Sequence, residues 1–360
     1  MNFDLSEEQR LLQSTIDGYL EKECPIASVR EFYDGDEELQ PAVWKGLAEL
    51  GVMGLHLPEE FGGAGLELLD LLVVAERLGY HATPGPFFGH AIAGLALSLA
   101  GSEAQKKEWL PRLASGDCLA TLAVADPGDC WQPEEWSATS DADGTFTGTK
   151  EHVPGGRSAD LIVMGLAGGR LAVVEASQAG VSSKPVHGID RTRRLATLHF
   201  ERASCEPLPL SAETAPRIRD AALVLLAADA VGGAQRCVEL AVAYACQREQ
   251  FGRTIGHFQA LKHQLANLAL DAEPCRSLAW YAAYAWDHAL AEAPRAAAHA
   301  KSHITDRFLQ VARGTVEAHG GIGYTWESEV HYWLKRAVQD RALFGSPRVH
   351  RLRAADLAQW

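Results

Sequence analysis

"IRDAALVLLAADAVGGAQRCVELAVAYACQREQFG", residues 218–252, holds an apolar helical period much longer than any strand, so it reads as a main helix of a bundle. Helical period starts at about residue 211 and persists to the end of the chain. A second helix follows "GHFQALKHQLANLALDAE" and a third is predicted over about 296–318. Upstream, over about 116–210, the texture is different. "ATLAVA", "GTFTGTKEHV", "DLIVMGLA", "RLAVVEA" and "LATLHFE" are short, alternating or β-branched, and Gly/Asp/Pro turns separate them. Before that the chain is helical again. Ser6 followed by Glu7 and Glu8 suits a helix start. "AVWKGLAELGVMGL" and "LLDLLVVAERLGYHA" carry helical spacing on either side of a Pro/Gly loop, "LPEEFGGAGL" (57–66). The expectation is a mainly α protein with a small β domain: an N-terminal helical domain over 1–115, a middle antiparallel β domain over 116–210, and a C-terminal helical bundle over 211–360.

The bulk numbers limit what such a fold does. With 360 residues, 47% hydrophobic and 22% charged, the chain is long enough for two or three domains with a large core. A formal net charge of −14 argues against nucleic acid or an anionic membrane as the main partner. It leaves room for a phosphorylated ligand, because a local arginine cluster overrides the global sign. Seven cysteines without a CxxC pair suggest neither a zinc site nor a disulfide framework, and the odd count fits a reducing cytoplasm. "MNFDLSEEQRLLQSTIDGYL" lacks the basic start and apolar run of a signal peptide. No stretch of roughly 18 uninterrupted apolar residues predicts a membrane span.

A second stretch raises a chemical question. In "EAHGGIGYTWE" (317–327), Gly320, Gly321 and Gly323 let backbone N–H groups approach an anion, yet Glu317 stands three positions before the first glycine. From the residues alone this is a phosphate loop, a weakened one, or a loop entering a helix.

Three segments together resemble one family. "LPEEFGGAGL", "REQFGRTIGHFQALKHQLA" (248–266) and "HGGIGYTWE" are similar to acyl-CoA dehydrogenase motifs, in that family's order and spacing, across essentially the whole chain. The resemblance implies a helical N-terminal domain, a middle β domain and a C-terminal four-helix bundle. It also implies FAD, an acyl-CoA thioester substrate that loses its α and β hydrogens, and electron-transfer flavoprotein as the electron acceptor. Its FAD site spans two subunits, so a homo-oligomer or a heterotetramer with a second acyl-CoA dehydrogenase subunit is expected.

Arg248, Gln250 and Phe251 match the family residues that reach a partner subunit's FAD, with Arg248 on the pyrophosphate. Ile255, Phe258 and Leu261 would pack around the cofactor, and Gly320 and Gly321 match the family's glycine pair beside the phosphates. Taken singly, Arg248 reads as a surface ion pair with Glu249 or a neighbour, and the aromatics as helix-packing core. Glu317 stands where the family usually has glutamine. An ionised carboxylate offers only acceptors and repels phosphate unless a cation such as Arg248 neutralises it.

Other family positions are altered. The "TEPGAGSD"-like segment reads "LAVADPGDCWQP", with Ala125 at the threonine. The "GxKxWITN"-like segment reads "GTKEHVPGG", with His152 at the tryptophan and Pro154 at the threonine, where proline brings neither hydroxyl nor N–H. The family's usual glutamate base precedes a C-terminal glycine. Here "ALFGSPRVHRL" puts Phe344 in its place. A minority of members carry the base on the first long bundle helix, where the register gives Ala222; the nearest acids are Asp220 and Asp229. Asp229 lies seven residues on, roughly 10 Å along the axis. It is the candidate base, or else a polar residue bridging inside the bundle. The C-terminal arginines, Arg341, Arg348, Arg351 and Arg353, read as a solvated helix face or a surface for a CoA phosphate or an acidic partner.

The surviving residues serve a neighbour's FAD better than the chain's own. "GTKEHVPGGRSADLIV" and "LFGSPRVHRLRAADL" look like the less catalytic partner in two-subunit acyl-CoA dehydrogenases, several of which act on bulky thioesters such as steroid side chains. The expected role is a subunit that lends Arg248, Gln250 and Phe251 to another chain's cofactor. A self-sufficient homomeric dehydrogenase with an unusually placed base, and a cofactor-free structural subunit, are the two alternatives.

Overall fold

The chain is described here over residues 4–359 of a computed structural model. Helix α1 (Glu7–Glu23) starts on a capping box: the Gln9 N–H donates to Ser6 Oγ at 3.1 Å, and the Ser6 N–H donates to Gln9 Oε1 at 3.0 Å. Helices α2 (Ile26–Asp34) and α3 (Pro41–Glu49) follow, the latter opening on its proline. The "LPEEFGGAGL" loop folds tightly before α4 (Leu68–Tyr80). A Cβ at Gly63 would lie 2.0 Å from the Leu57 carbonyl oxygen, so only glycine closes the loop. Helix α5 (Phe87–Ala100) is buried along nearly its whole length, and α6 (Glu103–Ala114) repeats the capping box with Ser102 and Gln105.

The β region holds β1 (Ala120–Ala123), β2 (Thr145–Pro154), β3 (Leu161–Leu166), β4 (Arg170–Glu175), β5 (Val181–Val186), β6 (Leu195–Ser204) and β7 (Glu206–Pro207). They form one sheet ordered β1-β3-β4-β7 and another ordered β2-β6-β5. The pairings are antiparallel except β1 with β3, which run parallel, so the expected antiparallel region holds one parallel pair. The chain leaves β1, contributes β2 to the other sheet, and returns as β3. Inward residues of both sheets share a core of Phe146, Val153, Ile162, Met164, Leu198 and Phe200, with Phe146 and Phe200 in edge contact at 5.3 Å.

Helix α7 (Ser211–Gln247) is the long element expected, but it ends five residues earlier than its apolar period suggests. "REQFGRT" becomes a hairpin of β8 (Glu249–Gln250) and β9 (Arg253–Thr254). Helices α8 (Gln259–His288), α9 (Ala293–His319), α10 (Val330–Ala342) and α11 (Pro347–Leu357) complete the chain. By length and composition α7 would cross a membrane. However, 83% of its apolar window is buried in protein, as befits a core helix.

Two compact units result. One takes the chain up to Arg30, Leu72–Thr83, and everything from Leu223 onward; the other takes Glu31–Leu71 and Pro84–Ala222. In the first, α9 packs against α8, α10 and α11, burying Ile304, Phe308 and Val311 completely. Each such side chain contributes about 1.5–3 kcal/mol relative to exposure. Small residues bring helices close: a Cβ at Gly233 on α7 would sit 2.3 Å from the Phe308 ring of α9.

Candidate functional site

The hairpin after α7 is built by its turn. Phe251 (φ 55°) and Gly252 (φ 78°) both occupy left-handed backbone, the requirement of a tight two-residue connection whose twist matches the flanking strands. Glycine takes that conformation freely, but an aromatic residue is strained there. Hydrogen bonds at the base hold the hairpin: Arg248 N–H to the Tyr244 carbonyl at 2.8 Å, and Ile255 N–H to the Arg248 carbonyl at 2.7 Å. Phe251 is 90% exposed at the tip and touches only the edge of Phe258, with ring centroids 6.0 Å apart. Ile255 and Leu261 are half-buried, and the Gln250 amide donates to the Glu249 carbonyl at 2.8 Å.

Arg248 is exposed, and among the described residues its guanidinium makes no hydrogen bond or ion pair. The expected surface pairing with Glu249, or neutralisation of Glu317, is not formed in this chain. Its donors therefore remain available to a ligand.

The glycine loop lies beside this hairpin. Helix α9 ends at His319, and Gly320 (φ 63°, ψ −141°) turns the chain while its N–H donates to the Glu317 carbonyl. The His319 ring stacks on Tyr244 at 4.4 Å between centroids, tying the end of α9 to the end of α7 where Arg248 begins. No neighbouring atom lies within 4 Å of a Cβ placed at Gly320 or Gly321, whereas one at Gly323 would be 2.5 Å from the Val316 carbonyl oxygen. The first two glycines thus face open space and the third is a packing residue. Tyr324 and Trp326 are exposed on the same loop, and Glu317 is exposed on the last turn of α9. This stack was not foreseen in the sequence; nothing in the spacing of Tyr244 and His319 signals it.

The altered middle segments have their own partners. Ala125 is buried and bridges Glu151 through backbone. Beside it, Asp126 forms a buried ion pair with Lys150 and accepts the Ser137 N–H at 2.7 Å. Burial opposes Asp126's ionisation, but the bonds from Lys150 and Ser137 win and hold its carboxyl below the usual range. His152 sits in left-handed backbone (φ 54°), stacks on Trp131 at 5.9 Å, and lies 3.6 Å from Asp129 through Nε2. Pro154 is buried, and its carbonyl accepts the Thr121 hydroxyl at 2.5 Å.

At the position of the usual base, Phe344 is 2% exposed with φ 59°, and its carbonyl accepts His350 Nε2 at 2.9 Å. Ala222 is fully buried, and Asp220 pairs with Arg219 at 3.1 Å. Asp229 is buried in the first unit with both carboxylate oxygens bonded to Arg336 at 2.7 and 2.9 Å. Such a bidentate hold by a guanidinium is the geometry of a residue bridging inside the bundle. Of the C-terminal arginines, Arg341 and Arg351 both bind Asp306, at 2.6 and 2.8 Å; Arg341 is half-buried, and Arg348 and Arg351 are exposed.

A helical N-terminal region, a small two-sheet β region and a C-terminal helical bundle make up the architecture of a flavin-dependent dehydrogenase family. The chain belongs to the acyl-CoA dehydrogenase family: residues 6–117 match the family's N-terminal domain and 223–358 its C-terminal domain. It is 35% identical over 344 residues to acyl-CoA dehydrogenase IpdE2 of Mycobacterium tuberculosis, covering 95% of this chain and 94% of that one. IpdE2 of Mycolicibacterium smegmatis is 32% identical, covering 96% of each. Among solved structures, the G363A variant of the Tcur3481-Tcur3483 steroid ACAD is 29% identical with a TM-score of 0.89, covering 98% of both chains. The ChsE4-ChsE5 complex from Mycobacterium tuberculosis, 23% identical, shares the fold at a TM-score of 0.89 over 100% of this chain and 99% of that one. Members of the family are FAD-dependent oxidoreductases acting on CH–CH groups.

Proposed function

We propose that this chain is a subunit of a heteromeric acyl-CoA dehydrogenase and supplies the half of an FAD site that completes a partner subunit's cofactor. One observation carries the reading: the unpaired guanidinium of Arg248 follows directly on the end of α7, whose Tyr244 stacks on His319, the residue just before the open glycines Gly320 and Gly321. Free guanidinium donors next to uncrowded backbone suit a pyrophosphate, so these residues fit the group. Arg248 would bind the phosphates, Gln250 would donate an amide N–H, and Phe251, Phe258, Ile255 and Leu261 would cover the cofactor's edge. Glu317 would oppose the anion and temper the grip. The chemistry FAD would supply there is that of a hydride acceptor for the β carbon of an acyl-CoA.

The α-proton needs a carboxylate, and this chain holds Phe344 where the family usually holds one. The base is therefore assigned to the partner. The left-handed strain of Phe251, fully exposed in the lone chain, supports an interface function, since such strain persists where it serves a contact. The relationship to a steroid ACAD named for two gene products supports both the two-chain arrangement and a bulky, ring-bearing acyl group. Electron-transfer flavoprotein is the proposed acceptor. With all seven cysteines unbridged, the reducing cytoplasm is the proposed compartment.

The test is to purify the chain alone and co-expressed with an acyl-CoA dehydrogenase subunit that carries the C-terminal glutamate. Native mass and flavin absorbance should show a mixed assembly that loses flavin on Arg248→Ala. A fully flavinylated, active homodimer of this chain would overturn the reading.

A further inference from the structure

Within the second unit, a cavity of about 290 Å³ lies between the loop after α2 and the segment joining β5 to β6. Its volume is at the small end of ligand pockets, the size of a sugar phosphate rather than a cofactor. We propose that this cavity binds a phosphorylated, hydroxyl-bearing small molecule, with the phosphate on Arg157, Arg191 and Arg194 and the hydroxyls on Glu38 and Asp190.

The cationic wall is prepared but under-used. Arg157 reaches Asp36 only at 3.8 Å and Glu38 only at 4.0 Å, both beyond hydrogen-bond distance. Arg191 donates through Nη2 to the Gly35 carbonyl at 2.8 Å, and Arg194 donates to the Phe32 and Gly35 carbonyls at 3.0 and 2.6 Å. These bonds fix both guanidinium planes at the cavity. The Arg194 Nε is buried with no hydrogen-bond partner. Burial first, then the neighbouring Arg191 guanidinium, push Arg194 below the usual arginine range, while Asp36 and Glu38 partly offset this. A dianion between three guanidiniums would relieve their mutual repulsion and take up the open donors.

The acceptor wall adjoins it. Glu38 is 5% exposed; its Oε2 accepts the Arg157 and Ser158 N–H groups at 2.9 and 3.1 Å, yet its Oε1 is buried without a hydrogen bond. Asp190 likewise gives one oxygen to the Thr192 N–H and hydroxyl and leaves Oδ2 with no hydrogen bond. Buried acceptors in this state call for donors, which a polyol supplies. None of the three carboxylates defeats the anion: Asp190 lies against Arg193 at 3.6 Å, Asp36 is largely exposed and screened, and the charge of Glu38 is met by the Arg157 and Ser158 N–H groups.

The site is independent of the proposed role in FAD binding, and the test does not use flavin. The full chain, in whatever assembly it purifies, is titrated with inorganic phosphate and with ribose phosphate, followed by calorimetry and thermal shift. Both should bind, ribose phosphate more tightly. Arg157→Ala should weaken both by about tenfold or more, the loss of one charge-assisted contact. Glu38→Gln should weaken ribose phosphate while sparing inorganic phosphate. Arg157→Lys, which keeps the charge, covers the case in which Arg157→Ala fails to fold. It should weaken phosphate less than the alanine variant does, or bind it while the alanine variant is unfolded. Competition by CoA but not by its dephospho form would assign the phosphate to the substrate's own nucleotide. Failure of CoA to compete would assign it to a free phosphorylated metabolite. The proposal is overturned if neither phosphate probe gives heat or a melting shift, or if a folded Arg157→Ala binds both unchanged.

Discussion

The guanidinium of Arg336 closes on Asp229 with two hydrogen bonds, at 2.7 and 2.9 Å, and reaches on to the Thr83 carbonyl at 3.0 Å. Both side chains are almost wholly buried. Removing one partner leaves the other charge stranded, so Asp229→Asn should cost about 3–5 kcal/mol in urea unfolding. In the assembled enzyme the folded variant should keep its turnover per flavin. Loss of turnover with the flavin retained would instead make Asp229 the base.

Phe251→Gly separates the hairpin's function from its stability. Glycine accepts the left-handed turn, so the isolated chain should become more stable by up to about 1 kcal/mol, read from its melting temperature. The same substitution should lower flavin retention in the two-chain assembly, because the exposed ring is what a partner would meet.

Helices α4 and α7 meet at reciprocal glycines. A Cβ at Gly79 would fall 2.1 Å from the Asp229 carbonyl oxygen, and one at Gly232 would fall 1.8 Å from the Glu76 carbonyl oxygen. Backbone cannot yield as a side chain does, so Gly79→Ala and Gly232→Ala should each cost about 3 kcal/mol or more. Gly18→Ala, in α1 with nothing within 4 Å, should stabilise by about 0.5–1 kcal/mol. Chemical denaturation of the three variants would show opposite signs for one and the same substitution.

Two buried histidines set an acid limit. Burial pushes His56 down to about 4 and His90 down to about 3, with His56's own charge further opposing that of His90. The unfolded chain takes up both protons near pH 6.5, while the folded chain stays neutral until much lower pH. Stability is therefore complete above about pH 6.5 and falls as the pH drops toward 4, by roughly 1.4 kcal/mol per unit for each histidine. Urea titrations across that window should show the slope, and His90→Gln should halve it.

The long-range order of the fold was legible because it rests on periodicity. The helical, strand and helical regions, and the start of α1 at Ser6, follow from local chemistry. Strand β5 was missed because "VSSKPV" is exposed, lacks alternation and contains Pro185, which an edge strand tolerates. The β8–β9 hairpin was read as helix because Phe-Gly is not a usual turn pair and the apolar period runs into it. Arg248, Phe251 and the glycines could be picked out only through resemblance. The contacts that bring them together could not: the Tyr244–His319 stack joins two helix ends, and Asp229 meets Arg336 from 107 positions away. Such pairs are decided by packing, which a linear pattern does not encode.

The exposed hairpin also bears on how the chain behaves before it meets anything. Phe251, Tyr324 and Trp326 are exposed aromatic side chains on a molecule whose formal charge is −14. Between identical copies the charge repels and the aromatic surface attracts. Salt decides between them, since repulsion fades over about 8 Å at physiological ionic strength. An unaccompanied chain would stay dispersed in dilute buffer and clump as salt rises. In the proposed two-chain assembly, a partner made alongside it would cover those aromatic side chains before copies of the chain find one another.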